Sequence, residues 1–144
     1  MPTSFEILTG RGGWAATPDN YSSLRSLRFA PDGSGRVLYG YGQTIYADIA
    51  WRFEVIEPDR LKLEYLESSC FQRFPGFRLD EANRRKVVGI RLIEGEFAFV
   101  ENVTGQSRRF RWRLDLSASP YPDGMSFPYS VPTTFYGHVE RRSE

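Results

Sequence analysis

The chain has 144 residues, a length that suits one domain over residues 1–144 with a core that needs no disulfide or metal. Its 19 lysine and arginine residues and 18 acidic residues leave a net charge of +1, so no overall field attracts nucleic acid or anionic membranes. The aromatic content of 15% favours strands over a helical bundle.

The sequence also lacks the segments that mark secreted and membrane proteins. It shows neither the basic start and apolar run of a signal peptide nor a stretch of about 18 apolar residues. The lone Cys70 cannot form an intrachain disulfide, so nothing requires an oxidising compartment. We therefore expect a cytoplasmic protein that binds no nucleic acid and no membrane.

Apolar residues alternate with polar ones along most of the chain, which is the period of a half-buried β-strand. In chain order this pattern predicts strands over residues 24–29, 36–41, 45–55, 61–66, 77–79, 86–93, 97–103, 108–116 and 133–141. It is clearest in IYADIAWRFEV (45–55) and RRFRWRLDL (108–116), where one face is apolar and the other mostly polar. Such strands have one dry and one wet face, as in antiparallel sheets.

Short turn sequences separate the strands and predict consecutive hairpins. They are PDGSG (31–35), EPDR (57–60), DEANRR (80–85), EGE (94–96) and TGQS (104–107). Regularly spaced short strands indicate a sandwich or a barrel, and an up-and-down sheet loses its exposed edges by closing on itself. We predict an all-β fold, a closed up-and-down antiparallel barrel of eight to ten strands.

Two segments do not fit this pattern. Residues 68–77 are irregular and aromatic, and Pro75 with Gly76 would break a central strand. Residues 117–132 contain four prolines and are predicted to form a long loop. Because long loops in compact domains are often functional, we expect the aromatic side chains of this one to cover the mouth of the barrel.

The inward positions of the predicted strands carry bulky side chains, which either fill the core or line a slot for a small ligand. The predicted ligand-binding residues are Trp51, Phe53, Tyr65, Phe97, Phe99, Glu101 and Trp112. Glu101 shares the alternation of Phe97 and Phe99, and a carboxyl group inside an apolar barrel would have a raised pKa and could act as a base or bind a polar group. The alternative is that Glu101 lies at a strand end near the rim.

The segment GRGGW introduces a resemblance to a known family. Gly12, Gly13 and Trp14 match the Gly-x-Trp motif of the calycin barrels, which include the lipocalins and fatty-acid-binding proteins. The resemblance implies that Trp14 closes one end of the barrel, with a basic side chain, Arg141 or Arg142, packed across its ring. The chain departs from the secreted lipocalins because it lacks their Thr-Asp motif and paired cysteines. It therefore looks like an intracellular calycin-like protein.

His138, the sole histidine, lies in the last predicted strand. It resembles the single haem-binding histidine of the nitrobindins, a calycin-like group, and a neutral imidazole can bind haem iron. The alternation opposes this role because it points Gly137 inward and His138 outward, unless a bulge reverses the faces. One histidine and one cysteine do not make a zinc site, so we expect no cofactor.

These observations predict that the barrel binds a small, largely apolar molecule without catalysis. One alternative is an enzyme-class barrel, which would use haem at His138 or would isomerise or cyclise an apolar substrate; the sequence shows no nucleophile–base pair for other chemistry. A second alternative is a structural or protein-binding barrel with a filled core. A homodimer through YGYG (39–42) is also left open.

Overall fold

The computed structural model describes residues 2–10, 13–16, 25–101 and 104–139, with only the backbone of residues 138 and 139. Within these ranges the chain forms one short helix and eight strands. They are α1 (Ser4–Leu8), β1 (Trp14–Ala15), β2 (Ser26–Phe29), β3 (Ser34–Tyr41), β4 (Thr44–Ile56), β5 (Arg60–Tyr65), β6 (Arg85–Val100), β7 (Ser107–Leu116) and β8 (Thr134–Val139).

The strands pair in chain order, each antiparallel to the next, and β1 pairs with β8 to close the sheet into a barrel. Closure passes through two residue pairs, Trp14 with Gly137 and Ala15 with Tyr136. The structure confirms the predicted all-β, up-and-down antiparallel barrel, at the low end of the predicted strand number. No helix in the described ranges has the length and hydropathy needed to cross a bilayer.

The predicted turn at residues 94–96 is wrong. β6 runs through this segment, and its pairing with β7 shifts register between Glu94 and Phe97. The extra residue is accommodated as a bulge, which bends a strand without ending it. Gly95 suits this bulge because a Cβ there would lie 3.1 Å from the Phe97 ring.

Two smaller expectations also differ from the structure. Residues 77–79 form no strand; they belong to a connection over residues 66–84 that makes an isolated bridge between Asp48 and Cys70. Ile45, predicted to face the core, is 40% exposed because it lies at the tip of the β3–β4 hairpin. The alternation is thus reliable along the barrel wall and fails at its rim.

Inside the barrel the apolar faces pack into one core, and two glycines make room for two tryptophans. A Cβ on Gly35 would lie 2.0 Å from Nε1 of Trp51, the residue opposite it on β4. A Cβ on Gly137 would lie 2.7 Å from the ring of Trp14. Both tryptophans are fully buried, so only glycine fits opposite them.

The helix α1 was not predicted, because five residues are too few to show a helical period. The sequence TSFE (3–6) nonetheless contains the residues of a helix N-terminal capping box. The Thr3 side chain accepts a hydrogen bond from the backbone N–H of Glu6, and the Glu6 side chain accepts one from the backbone N–H of Thr3. This reciprocal capping box satisfies N–H groups that a helix start leaves without partners.

The helix covers one end of the barrel, here called the helix end. The Glu57 carboxylate in the β4–β5 turn accepts from the backbone N–H groups of Ser4 at 2.8 Å and Phe5 at 3.0 Å. Trp14 Nε1 donates to the Leu8 carbonyl at 3.1 Å. In an up-and-down barrel alternate connections lie at opposite ends, so the β3–β4 turn and residues 66–84 and 117–133 lie at the other end, the loop end.

Candidate functional site

Residues 117–133, here called the cap loop, place aromatic side chains over the interior at the loop end. Tyr121 is fully buried, and its hydroxyl donates to the Leu38 carbonyl at 2.7 Å. The Tyr65 hydroxyl, from β5, donates to the Pro120 carbonyl at 2.6 Å. Individual tyrosine hydrogen bonds, not a strand ladder, thus join the middle of the cap loop to the barrel.

Lys86 is a second attachment point for the cap loop. It lies opposite the buried Leu63 in the β5–β6 register, so its side chain leaves β6 on the inner face and is only 12% exposed. Its ammonium donates to the carbonyls of Ser119 and Tyr121, both at 2.8 Å, and lies 2.9 Å from the Asp123 carboxylate. All three N–H donors of the ammonium have an acceptor.

Four rings close the loop end, and we call them the plug cluster: Tyr39, Phe74, Tyr121 and Phe127. The Phe127 ring lies 4.8 Å from Tyr39, 5.2 Å from Tyr121 and 5.4 Å from Phe74, measured between centroids. Tyr39 and Tyr121 meet edge to face at 5.5 Å. Each such pair contributes about 0.5–1.5 kcal/mol beyond area burial. The cap loop therefore supplies two of the rings that fill the mouth of the barrel.

The hydroxyl groups at this end are held in their neutral form. Burial raises the pKa of Tyr65 and of Tyr121 far above 10, and burial also raises the pKa of Tyr39. A phenol that stays neutral keeps its proton for donation. The loop end thus combines packed aromatic rings with buried hydroxyl donors, and the hydroxyls of Tyr39, Tyr65 and Tyr121 each have a carbonyl acceptor.

Three of the predicted ligand-binding residues lie in the main core. Trp51, Phe53 and Tyr65 are all buried, and the rings of Trp51 and Tyr65 are 6.5 Å apart. Trp51 Nε1 is buried with no acceptor among the described residues. Trp112 is half-buried and packs against the same core.

Phe97 and Phe99 lie elsewhere. Both are half-buried, and their rings lie 5.6 Å and 4.7 Å from that of Tyr136, while Phe99 also contacts Phe110 at 6.0 Å. None of these four rings belongs to the main core. The structure therefore does not bring Phe97 and Phe99 together with Trp51 and Tyr65.

Glu101 lies in the connection after β6, which ends at Val100. Its backbone N–H donates to the Gln106 carbonyl at 2.9 Å, and its carbonyl accepts from the N–H of Gly105 at 2.8 Å. The residue thus belongs to the β6–β7 turn. This is the strand-end position that the sequence left open as the alternative to an inward carboxylate.

Of the residues predicted to close the barrel, Trp14 is among the described residues. Trp14 is fully buried at the helix end, beneath α1. Gly12 and Arg141 lie outside the described residues, as does the side chain of His138. Trp14 therefore lies at the end of the barrel away from the cap loop.

Metal chemistry and the outer surface offer no better candidate. No three histidine, cysteine, aspartate or glutamate side chains of the described residues are grouped to hold a metal ion. A groove of about 380 Å³ runs across the outer face of β4, β5 and β6. Its charges are largely paired, since Arg85 lies 3.1 Å from Glu64 and Lys62 lies 3.6 Å from Glu54.

Comparison with known proteins supplies no relative: no protein-family model, curated protein or solved structure matches the chain. The calycin resemblance stays an expectation from the Gly-x-Trp motif.

Sequence reasoning missed Lys86. In KVVGIRLI (86–93) the alternation puts Lys86 on the same face as Val88 and Ile90, both of which are buried. A lysine on the inner face of a strand is costly unless its charge is paired. The inward position of Lys86 therefore indicated that its ammonium has a buried hydrogen-bond or charge partner, although the sequence could not reveal that this partner is the cap loop.

Proposed function

We propose that the barrel binds a small, largely apolar molecule inside its loop end, without catalysis. The cap loop moves away from the barrel to let this molecule enter. The observation that carries this proposal is the plug cluster. Tyr121 and Phe127 of the cap loop occupy the mouth of the barrel with flat apolar rings. A ligand of similar shape would replace these rings and recover their contacts.

The attachment of the cap loop supports this proposal. The middle of the loop is held by side-chain hydrogen bonds from Tyr65, Tyr121 and Lys86. Such a segment can open locally, because its middle is held by single side-chain hydrogen bonds and not by a backbone ladder shared with a neighbouring strand. Opening would free the Tyr65 hydroxyl from Pro120, and the Tyr39 hydroxyl from the Tyr129 carbonyl to which it donates at 3.0 Å, and both could then orient a polar group of the ligand. We also propose a cytoplasmic location, to which the exposed, unpaired Cys70 thiol is suited.

A specific observation favours a second candidate, a structural or protein-binding barrel with a filled core. Trp51, Tyr65, Tyr121 and Phe135 are all fully buried in one continuous cluster. If these rings do not move apart, the interior is a filled hydrophobic core with no room for a ligand. The enzyme alternatives have less support, since Glu101 lies in a turn.

The test uses a neutral apolar dye, N-phenyl-1-naphthylamine, whose fluorescence rises in apolar surroundings. We expect saturable binding to the full chain, and native mass spectrometry of protein from its own cells to show an added mass that denaturation removes. A double variant, Tyr121→Ala with Phe127→Ala, vacates the mouth and serves as a positive control. If that variant binds the dye but the unchanged chain does not, and no added mass is found, the filled-core candidate holds instead.

A further inference from the structure

A second group of aromatic side chains lies on the outside of the loop end. Tyr41 and Tyr129 stack in near-parallel fashion, with centroids 4.2 Å apart and planes 16° apart. Unlike the plug cluster, these rings are open to solvent: Tyr41 is 51% exposed and Tyr129 is 43% exposed. Tyr46 lies beside them, 6.2 Å from Tyr129. Exposed aromatic side chains grouped in this way are typical of interaction sites.

Two arginines flank these rings. The Arg25 guanidinium lies 6.0 Å from the centroid of Tyr41, and that of Arg73 lies 5.8 Å from the centroid of Tyr46. We call these five residues the rim patch: Arg25, Tyr41, Tyr46, Arg73 and Tyr129. Guanidinium groups stack on aromatic faces and keep their N–H donors free at the edge.

The charge of the rim patch is not balanced within the described part of the chain. Neither Arg25 nor Arg73 forms an ion pair with another described residue. By contrast, Arg36 of β3 forms an ion pair with Asp48 at 2.7 Å. A hydrogen bond with Tyr46 raises the pKa of Tyr129 above its usual value, so the Tyr129 hydroxyl adds no negative charge to the patch. Two positive charges thus stand beside open aromatic rings.

We propose that the rim patch binds a planar aromatic molecule carrying an anionic group. The outer face of the stacked Tyr41–Tyr129 pair supplies the stacking surface, and the guanidinium groups of Arg25 and Arg73 supply the counter-charge. A bidentate contact between a guanidinium and a carboxylate, sulfonate or phosphate oxygen pair is strong and directional. This site lies on the outside of the barrel and is formed by the closed cap loop, because Tyr129 belongs to residues 117–133.

The experiment compares two probes that share one ring system, naphthalene-1-sulfonate and naphthalene-1-methanol, by equilibrium dialysis against the full chain. The sulfonate is expected to bind at least about tenfold more tightly, because only the sulfonate accepts charge-assisted hydrogen bonds from the guanidinium groups. The double variant Arg25→Gln with Arg73→Gln should abolish this difference. Tyr41→Leu with Tyr129→Leu should weaken both probes, because it removes the stacking surface.

A matched control removes the same charge elsewhere. Arg60→Gln with Arg91→Gln changes two exposed arginines of β5 and β6, and it should leave the sulfonate preference within about twofold, since distant surface charges are screened. Equal affinity for the two probes, or an equal loss in the control, would overturn the proposal. So would failure of the sulfonate to bind.

A second copy of the chain is the rival occupant of the rim patch, through the tyrosines of YGYG (39–42). Sedimentation velocity separates the two ideas. A monomer that retains the sulfonate preference supports the ligand site. A dimer that Tyr41→Ser dissociates, with no sulfonate preference at any concentration, overturns it. The Arg25→Gln with Arg73→Gln variant leaves the cap loop unchanged, so dye binding in the interior is measured separately from the sulfonate preference, and either proposal can fail alone.

Discussion

Replacing Lys86 by methionine should loosen the cap loop and tighten the binding of a neutral apolar ligand. Methionine keeps an apolar stem of similar length but donates no hydrogen bond. The change removes two charge-assisted hydrogen bonds at 2.8 Å, to Ser119 and Tyr121, and a contact to Asp123 at 2.9 Å. The cap loop carbonyls lose their donor, while the barrel wall keeps its own hydrogen bonds.

The size of the effect follows from these contacts. Each hydrogen bond from a charged donor contributes about 1.5–3 kcal/mol, and relief from burying the ammonium returns part of that. We expect the free energy of cap loop opening to fall by about 2 kcal/mol, which is about a thirtyfold rise in the open fraction. When only the open state binds, apparent affinity rises by the same factor.

The assay is a fluorescence titration with N-phenyl-1-naphthylamine, with hydrogen exchange of the cap loop measured in parallel. Lys62→Met is the matched control, because Lys62 is the other lysine of the chain, is 54% exposed and forms a long 3.6 Å pair with Glu54. It should leave both readouts unchanged. Asp123→Asn should give a smaller change of the same sign. If Lys86→Met speeds exchange of the cap loop without tightening dye binding, the ligand does not pass beneath it and the reasoning fails.

Three further predictions concern the fold. Gly137→Ala places a Cβ against the Trp14 ring and should destabilise the protein by about 1–3 kcal/mol in urea unfolding; unchanged stability would mean that the tryptophan is free to move. Glu57→Gln weakens the two hydrogen bonds that hold the first N–H groups of α1, so that hydrogen exchange of the helix should quicken while that of the strands does not. Burial raises the pKa of Tyr65 and Tyr121 above 10, so the free energy of unfolding should be full below pH 10 and fall at higher pH, where only the unfolded chain ionises these tyrosines. Changing both tyrosines to Phe should flatten that decline. An equally steep decline in the double variant would contradict the prediction.

The barrel wall could be predicted from the sequence because alternation and turn residues are local signals. Along β4 the predicted inward residues from 47 to 53 are buried, and residues 117–132 were recognised as a loop from their prolines. The bulge in β6 was misread as a turn, because EGE carries the turn residues but the neighbouring β7 keeps the pairing intact. Local composition cannot report a pairing made with a distant strand.

The candidate site was less accessible to sequence reasoning. Trp51, Phe53 and Tyr65 are inward as the alternation required, but Phe97 and Phe99 pack on Tyr136, since β6 changes register before it reaches them. The buried lysine contact and the stacking of Tyr41 on Tyr129 join residues more than 30 positions apart. Such contacts depend on how the cap loop folds back, which no periodic pattern encodes.

The most direct test of the central proposal is hydrogen exchange of residues 117–133 with and without saturating N-phenyl-1-naphthylamine. If the ligand takes the place of Tyr121 and Phe127, the cap loop should exchange faster when the dye is bound, while the amides of β4 and β5 stay protected. Bound dye with an unchanged or more protected cap loop would contradict displacement. Absence of dye binding would contradict the ligand-binding function itself.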